Sequence, residues 1–219
     1  MSSSETIVGA LKQRALDRLQ PRLSLVVEET ADYLFSLSTS TRLDLANQNH
    51  CYDAFVLLQT ETKRVVRQIC AVVETAFDSF EDQQIDVVND PVPQEFVELA
   101  LLDLEVFEET LAIEKIVRAS TARFWIDLES LMFRLGSALN MPAEAIKLPV
   151  SPYLLCSAYR QALREIEFPR NFLVDADSAF ARKLLPELAE IYQCLNSYLK
   201  DLGLLPDIEE ELTQTGSQS

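Results

Sequence analysis

In two long stretches of this chain, the residues suited to an interior recur every three or four positions. Leu19, Leu23, Val26, Thr30, Tyr33 and Leu37 form one series, and Phe55, Leu58, Thr62, Val65, Ile69, Val72, Ala76 and Phe80 form the other. That spacing lays a single oily stripe along an α-helix and does not fit the period-two alternation of a half-buried strand. Glycine supports the same reading: only four occur in 219 residues, too few for a turn-rich sandwich or for a phosphate-cradling loop. The chain is expected to be all-α.

The first stripe predicts a helix over about residues 5–38, with Ser2 and Glu5 placed as a capping box. Pro21 falls inside it, so the helix should kink there or divide into two. "STSTRLDLANQN" reads as a turn, and the second stripe as a helix over roughly 50–81. "DQQIDVVNDPVPQEF" then breaks the pattern with two closely spaced prolines, giving an extended connector near residues 82–95 whose "QIDVV" is the only short strand candidate. A third stripe, Ile113, Val117, Phe124, Leu128, Leu131, Leu135 and Ala138, follows Asp103 as N-cap and ends near Asn140 and Pro142.

Ser151 followed by Pro152 suits the start of a shorter fourth helix, with Leu155, Ala158, Tyr159 and Ala162 inward. The last stripe, Leu184, Leu188, Ile191, Leu195, Tyr198 and Leu202, closes at Gly203 and Pro206, and Pro186 should bend it or mark its true beginning. The expected architecture is a bundle of about five mostly long antiparallel helices in a single domain over 5–206. Residues 1–4 would be a disordered start and 207–219 an acidic, then polar, disordered tail.

Nineteen Lys and Arg against thirty-five Asp and Glu leave a net charge of −16, which repels phosphate backbones and anionic membrane surfaces at long range. No nucleic-acid partner is expected. No apolar run approaches the ~18 residues of a membrane span, so no membrane insertion is expected either. Cys51, Cys70, Cys156 and Cys194 are scattered and the chain holds one histidine, His50, so neither a zinc site nor a disulfide framework has its ligands. These features read as a cytoplasmic, bacterial protein with reduced thiols.

A catalytic reading finds little to stand on. One histidine cannot furnish the two Glu-x-x-His pairs of a di-iron bundle, and His50 beside Cys51 points about a third of a turn away from it on a helix. The acidic motifs "ETAD" and "EVFE" are far apart and reversed in order from the magnesium-binding pattern of helical pyrophosphohydrolases. No metal and no cofactor is expected. Within "LALLDLEVFEETLAIEKIVRAS", Glu105, Glu108 and Glu109 suit a first helical turn, where free amides favour carboxylates. Glu114 differs, because it lies at an oily edge one turn before Arg118, its local cation. Arg160 and Arg164 form a second one-turn pair, and together these four residues are the candidate ligand or partner contacts.

Three phrases, "LALLDLEVFEETLAIEKIVRAS", "VSPYLLCSAYRQALREIE" and "YLKDLGLLPDIE", resemble in order and spacing the N-terminal helical region of the bacterial domain-of-unknown-function family numbered 1631. The resemblance covers roughly residues 10–210 and is strongest from residue 99 onward, with "ETLAIE" and "SPYLLCSAYRQAL" its distinctive parts. It implies a helical region from a family whose members are typically longer. Some have been labelled thymidine phosphorylase, and some carry a PilZ-type module associated with cyclic-di-GMP. This chain has no PilZ-like arginine-rich motif. Glu114 and Arg160 lie within the matching phrases, which assign neither a role.

The function expected is therefore a non-catalytic helical interaction or regulatory module with a protein partner or a second copy of itself. Leu99, Leu101, Leu102, Phe168, Phe172 and Leu173 read as exposed apolar edges that could serve it. The alternative is binding or hydrolysis of a phosphorylated small molecule or nucleotide in an Arg/Glu-lined groove between the third and fourth helices.

Overall fold

The computed structural model describes residues 3–41, 43–82, 117–118 and 124–216, and all regular structure among them is helical. Six α-helices follow in order: α1 (Ser3–Ser38), α2 (Leu45–Asp82), α3 (Trp125–Leu139), α4 (Pro152–Glu165), α5 (Leu173–Asp201) and α6 (Ile208–Gly216). Single 3-10 turns at Ala143–Ala145 and Arg170–Phe172 precede α4 and α5. The expected Ser2 capping residue, the connector near 82–95 with its strand candidate (all but Asp82), and the Asp103 N-cap lie outside the described residues.

Helix α1 packs along both α2 and α5, α2 also carries α4, and α3 lies on α5 and α6. Contacts between Lys12 and Asp78 at one end and Phe35 and Phe55 at the other make α1 and α2 an antiparallel hairpin. Arg14 over the Tyr198 ring and Lys183 beside Glu29 make α5 antiparallel to α1. α3 instead runs parallel to α5, since Phe124 meets Tyr192 and Arg134 meets Leu204. The stripes form the core: Leu19, Leu23, Leu58, Ile69, Leu188 and Ile191 are all buried. Each such side chain contributes about 1.5–3 kcal/mol, against about 0–1 kcal/mol for an exposed ion pair such as Lys12–Asp78. The seam is therefore held by its apolar faces.

The structure corrects several expectations. Of the two alternatives at Pro21, division into two helices fails and the single helix holds; Pro21 sits on the exposed side, where the carbonyl that loses its partner can be hydrated. α2 begins at Leu45 rather than near residue 50, because the Asp44 carboxylate accepts the Asn47 amide at 2.8 Å as an N-cap. Pro186 lies well inside α5, which starts at Leu173. Phe168, Phe172 and Leu173 are not exposed edges but core, because the turn after α4 folds them under the bundle. Residues 208–216 form α6 rather than a disordered tail. Ser151 caps α4 by accepting the Leu154 amide, with Pro152 in the first turn, as the spacing predicts. No described helix is long and apolar enough to cross a membrane.

Candidate functional site

Of the four candidate residues, Glu114 lies outside the described residues, and Arg118 and Arg164 are exposed. Arg160 is committed elsewhere. Its Nη2 and Nε lie 2.7 and 2.8 Å from one carboxylate oxygen of Asp177, joining α4 to α5. Asp177 is 2% exposed, so this pair is largely shielded from water. Beside it Tyr159 stacks flat on Phe180 with centroids 3.8 Å apart, and burial pushes the Cys156 thiol up to about 12.

A groove of about 610 Å³ does lie between α3 and α4, but its lining is mainly apolar, including Trp125, Leu128, Met132, Leu148 and Tyr153. Among the described residues its charged lining is Glu129 and Lys147; Arg118, Arg160 and Arg164 do not line it. His50 is exposed while Cys51 is buried and donates its thiol hydrogen to the Leu34 carbonyl, so the two side chains face different surroundings. Among the described residues no three His, Cys, Asp or Glu side chains converge as a metal site would require.

Two constellations escaped the sequence reading. The first is Arg134, a fully buried arginine on α3. Its Nη1 and Nη2 hold the Glu209 carboxylate side-on at 2.6 and 2.7 Å. Nη1 also donates to Asn196 Oδ1 at 2.8 Å, Nε donates to the Leu204 carbonyl and Nη2 to the Leu205 carbonyl, each at 3.1 Å. All five guanidinium hydrogens are thereby used. These hydrogen bonds hold the Glu209 carboxyl below its ordinary value, while burial and the Glu209 charge raise Asp127 nearby. The available signal was an arginine in the middle of an inward stripe, with Gly203, Pro206 and an acidic run seventy residues later.

The second constellation is aromatic. Phe35 on α1 and Tyr52 and Phe55 on α2 form a triangle with centroids 5.2–6.4 Å apart, and Phe35 and Tyr52 are 45% and 48% exposed. Val56 and Leu45, one turn after and two turns before Tyr52, are exposed as well. The seam between the two helices continues from these rings into a groove of about 450 Å³ bordered by Glu28, Asp32, Gln59, Thr60 and Lys63.

A family profile described as "Protein of unknown function (DUF1631) N-terminal domain" matches residues 3–203. The chain belongs to this family. No curated protein and no solved structure shows a significant match to it. Within the DUF1631 N-terminal domain, Arg134 and Asn196 fall inside the matched range, whereas Glu209 and the two carbonyls that complete the clasp come from residues beyond it. The aromatic triangle lies wholly within the matched range.

Proposed function

We propose that the chain is a non-catalytic helical interaction module whose contact surface is the Phe35–Tyr52–Phe55 triangle with the adjoining α1–α2 seam. The observation that carries this reading is the exposure of clustered rings in a protein that, among the described residues, buries most of its other aromatics, Tyr159, Tyr192 and Phe180 completely. Aromatic side chains gathered at one exposed place are the usual anchors of protein contacts. Trp125 and Tyr153 are exposed too, but they line the groove between α3 and α4 and no ring contact joins them among the described residues.

The net charge of −16 argues against a nucleic-acid partner, and free thiols at Cys51, Cys70 and Cys156 support a reducing, cytoplasmic setting. Affinity recovery from the native source tests the reading, with the chain, its Phe35→Ser/Tyr52→Ser variant and an exposed control, Glu144→Gln, as baits. A partner retained by the chain and the control and lost by the double variant supports it. Equal recovery by all three would overturn it.

A further inference from the structure

The electrostatics of the α1–α2 seam narrow what can dock there. From Arg22 to Arg64 the chain carries six carboxylates, Glu28, Glu29, Asp32, Asp44, Asp53 and Glu61, and four cations, Arg22, Arg42, Lys63 and Arg64, of which Arg22 is taken up by Glu187 and Glu190 and Arg64 by Glu61. Three of the six are engaged: Glu29 pairs with Lys183 at 3.1 Å, Glu61 with Arg64 at 3.7 Å, and Asp44 caps α2. Glu28, Asp32 and Asp53 are exposed and have no ion-pair partner among the described residues. Asp32 precedes Phe35 by about one helical turn and Glu28 by about two, or ~10 Å, so carboxylates follow the rings along the groove.

We infer that the occupant of this surface is a cationic amphipathic helix, an inference that rests on the interaction reading above. It seats an aromatic or aliphatic anchor on Phe35, Tyr52 and Phe55 and presents Lys or Arg about one and two turns away to Asp32 and Glu28. Lys63, on the far wall of the groove, fixes the polarity by repelling cations placed on that side. A second copy of this chain fits poorly, since it too carries a net charge of −16 and would bring its own Glu28, Asp32 and Asp53 to the interface rather than cations.

Two labelled helical peptides with the same apolar face test this against the purified full chain by fluorescence anisotropy, one carrying Lys and Arg and the other Glu and Asp at the flanking positions. The basic peptide is expected to bind, and to weaken at least about tenfold when salt rises from ~50 to ~500 mM. Glu28→Gln/Asp32→Asn should weaken it about as much at low salt, and Phe35→Ser/Tyr52→Ser should abolish binding, with helical circular dichroism unchanged in both.

If the acidic peptide binds as well as the basic one and the ring variant still abolishes binding, the charge inference fails while the interaction surface stands. If the basic peptide ignores the ring variant, its attraction is to the chain's overall charge and the surface assignment fails. Binding by neither peptide overturns the inference, as does a concentration-dependent dimer that Tyr52→Ser dissolves in analytical ultracentrifugation, which would assign the rings to self-association.

Discussion

Arg134 and Glu209 meet through two parallel hydrogen bonds of 2.6 and 2.7 Å, and the guanidinium side of that pair is completely buried. The pair fastens α6 to α3 and also closes the turn that carries Leu204 and Leu205, because the same guanidinium takes both of their carbonyls. α6 is short and packs mainly on α3. Its docking therefore depends on this one side chain more than on apolar area.

Removing the arginine should be costly. Arg134→Met leaves two carbonyls, a carboxylate and the Asn196 amide oxygen without their donor, and loss of one member of a buried charge pair costs about 3–5 kcal/mol. Glu209→Gln keeps the shape but leaves the fully buried guanidinium without its counter-charge and with only one oxygen acceptor in place of two, so about 3–5 kcal/mol is expected there too. Urea unfolding measures both. A loss below about 1 kcal/mol for Arg134→Met would mean that α6 is not anchored there.

The clasp should also be acid-labile. Hydrogen bonds from Arg134 are the main cause that lowers the Glu209 carboxyl in the folded state. Its stabilisation is thus fully present above the ordinary value of 4.5 and is lost as pH falls through the lower, folded value. Asp127 acts in the opposite sense: burial raises it above 3.8, so its protonation favours the folded state and offsets part of the loss. Amide spectra of residues 208–214 should stay constant near neutrality and broaden only below 4.5. In Arg134→Met this acid step should disappear.

The helical framework was legible because burial and periodicity coincide. Leu23, Val26 and Thr30 lie inward on α1 just as their spacing requires, and Ser151 with Pro152 marks the start of α4 by local chemistry alone. What escaped depended on long-range meetings. Arg160 looked like part of an arginine pair with Arg164, yet its partner Asp177 comes from the next helix, seventeen residues on. Arg134 looked like any charged residue in a helix until Glu209 arrived from seventy-five residues later. Phe168 and Phe172 were misread because a turn between helices reads as surface, whereas here it folds beneath the core. Local pattern sets which face of a helix is buried, and tertiary packing sets which charge meets which.

The Arg160–Asp177 pair gives a further check. Arg160→Met alone takes the guanidinium away from a carboxylate that is 2% exposed and should cost about 3–5 kcal/mol. Arg160→Met/Asp177→Leu removes both charges and should recover most of that loss, because a well-packed apolar pair replaces a desolvated ionic one. Thermal unfolding of the two variants decides the point. If the double variant is as unstable as the single, the loss does not come from the uncompensated charge of Asp177.

Thiol reactivity should follow burial. Cys156 and Cys70 are pushed up to about 12 and about 11, chiefly by burial, and Cys51 is raised for the same reason. The thiolate is the reactive form, so these three should resist alkylation at about pH 8 while the protein is folded. Cys194 is only partly buried and should be modified first. Peptide mapping after brief iodoacetamide treatment reads the order, and modification of Cys156 ahead of Cys194 would contradict this packing of α4 on α5.

Gly136 tests the end of α3 in a different way. Asn140 terminates that helix in the left-handed region at φ 56°, and the Met141 amide turns back to donate to the Gly136 carbonyl at 2.8 Å. A Cβ on Gly136 would lie 2.6 Å from the Met141 carbonyl oxygen, a backbone atom that cannot rotate aside as a side chain would. Gly136→Ala should therefore cost about 1–3 kcal/mol by forcing the turn open. Asn140→Gly, which relieves the positive φ, should be neutral to within about 0.5 kcal/mol. Because Arg134 lies two residues earlier on the same helix, the strain of Gly136→Ala should also reach the clasp. Hydrogen exchange at α6 should rise in Gly136→Ala and stay unchanged in Asn140→Gly. Faster exchange in both variants would show that the turn, rather than the Arg134–Glu209 pair, governs the docking of α6.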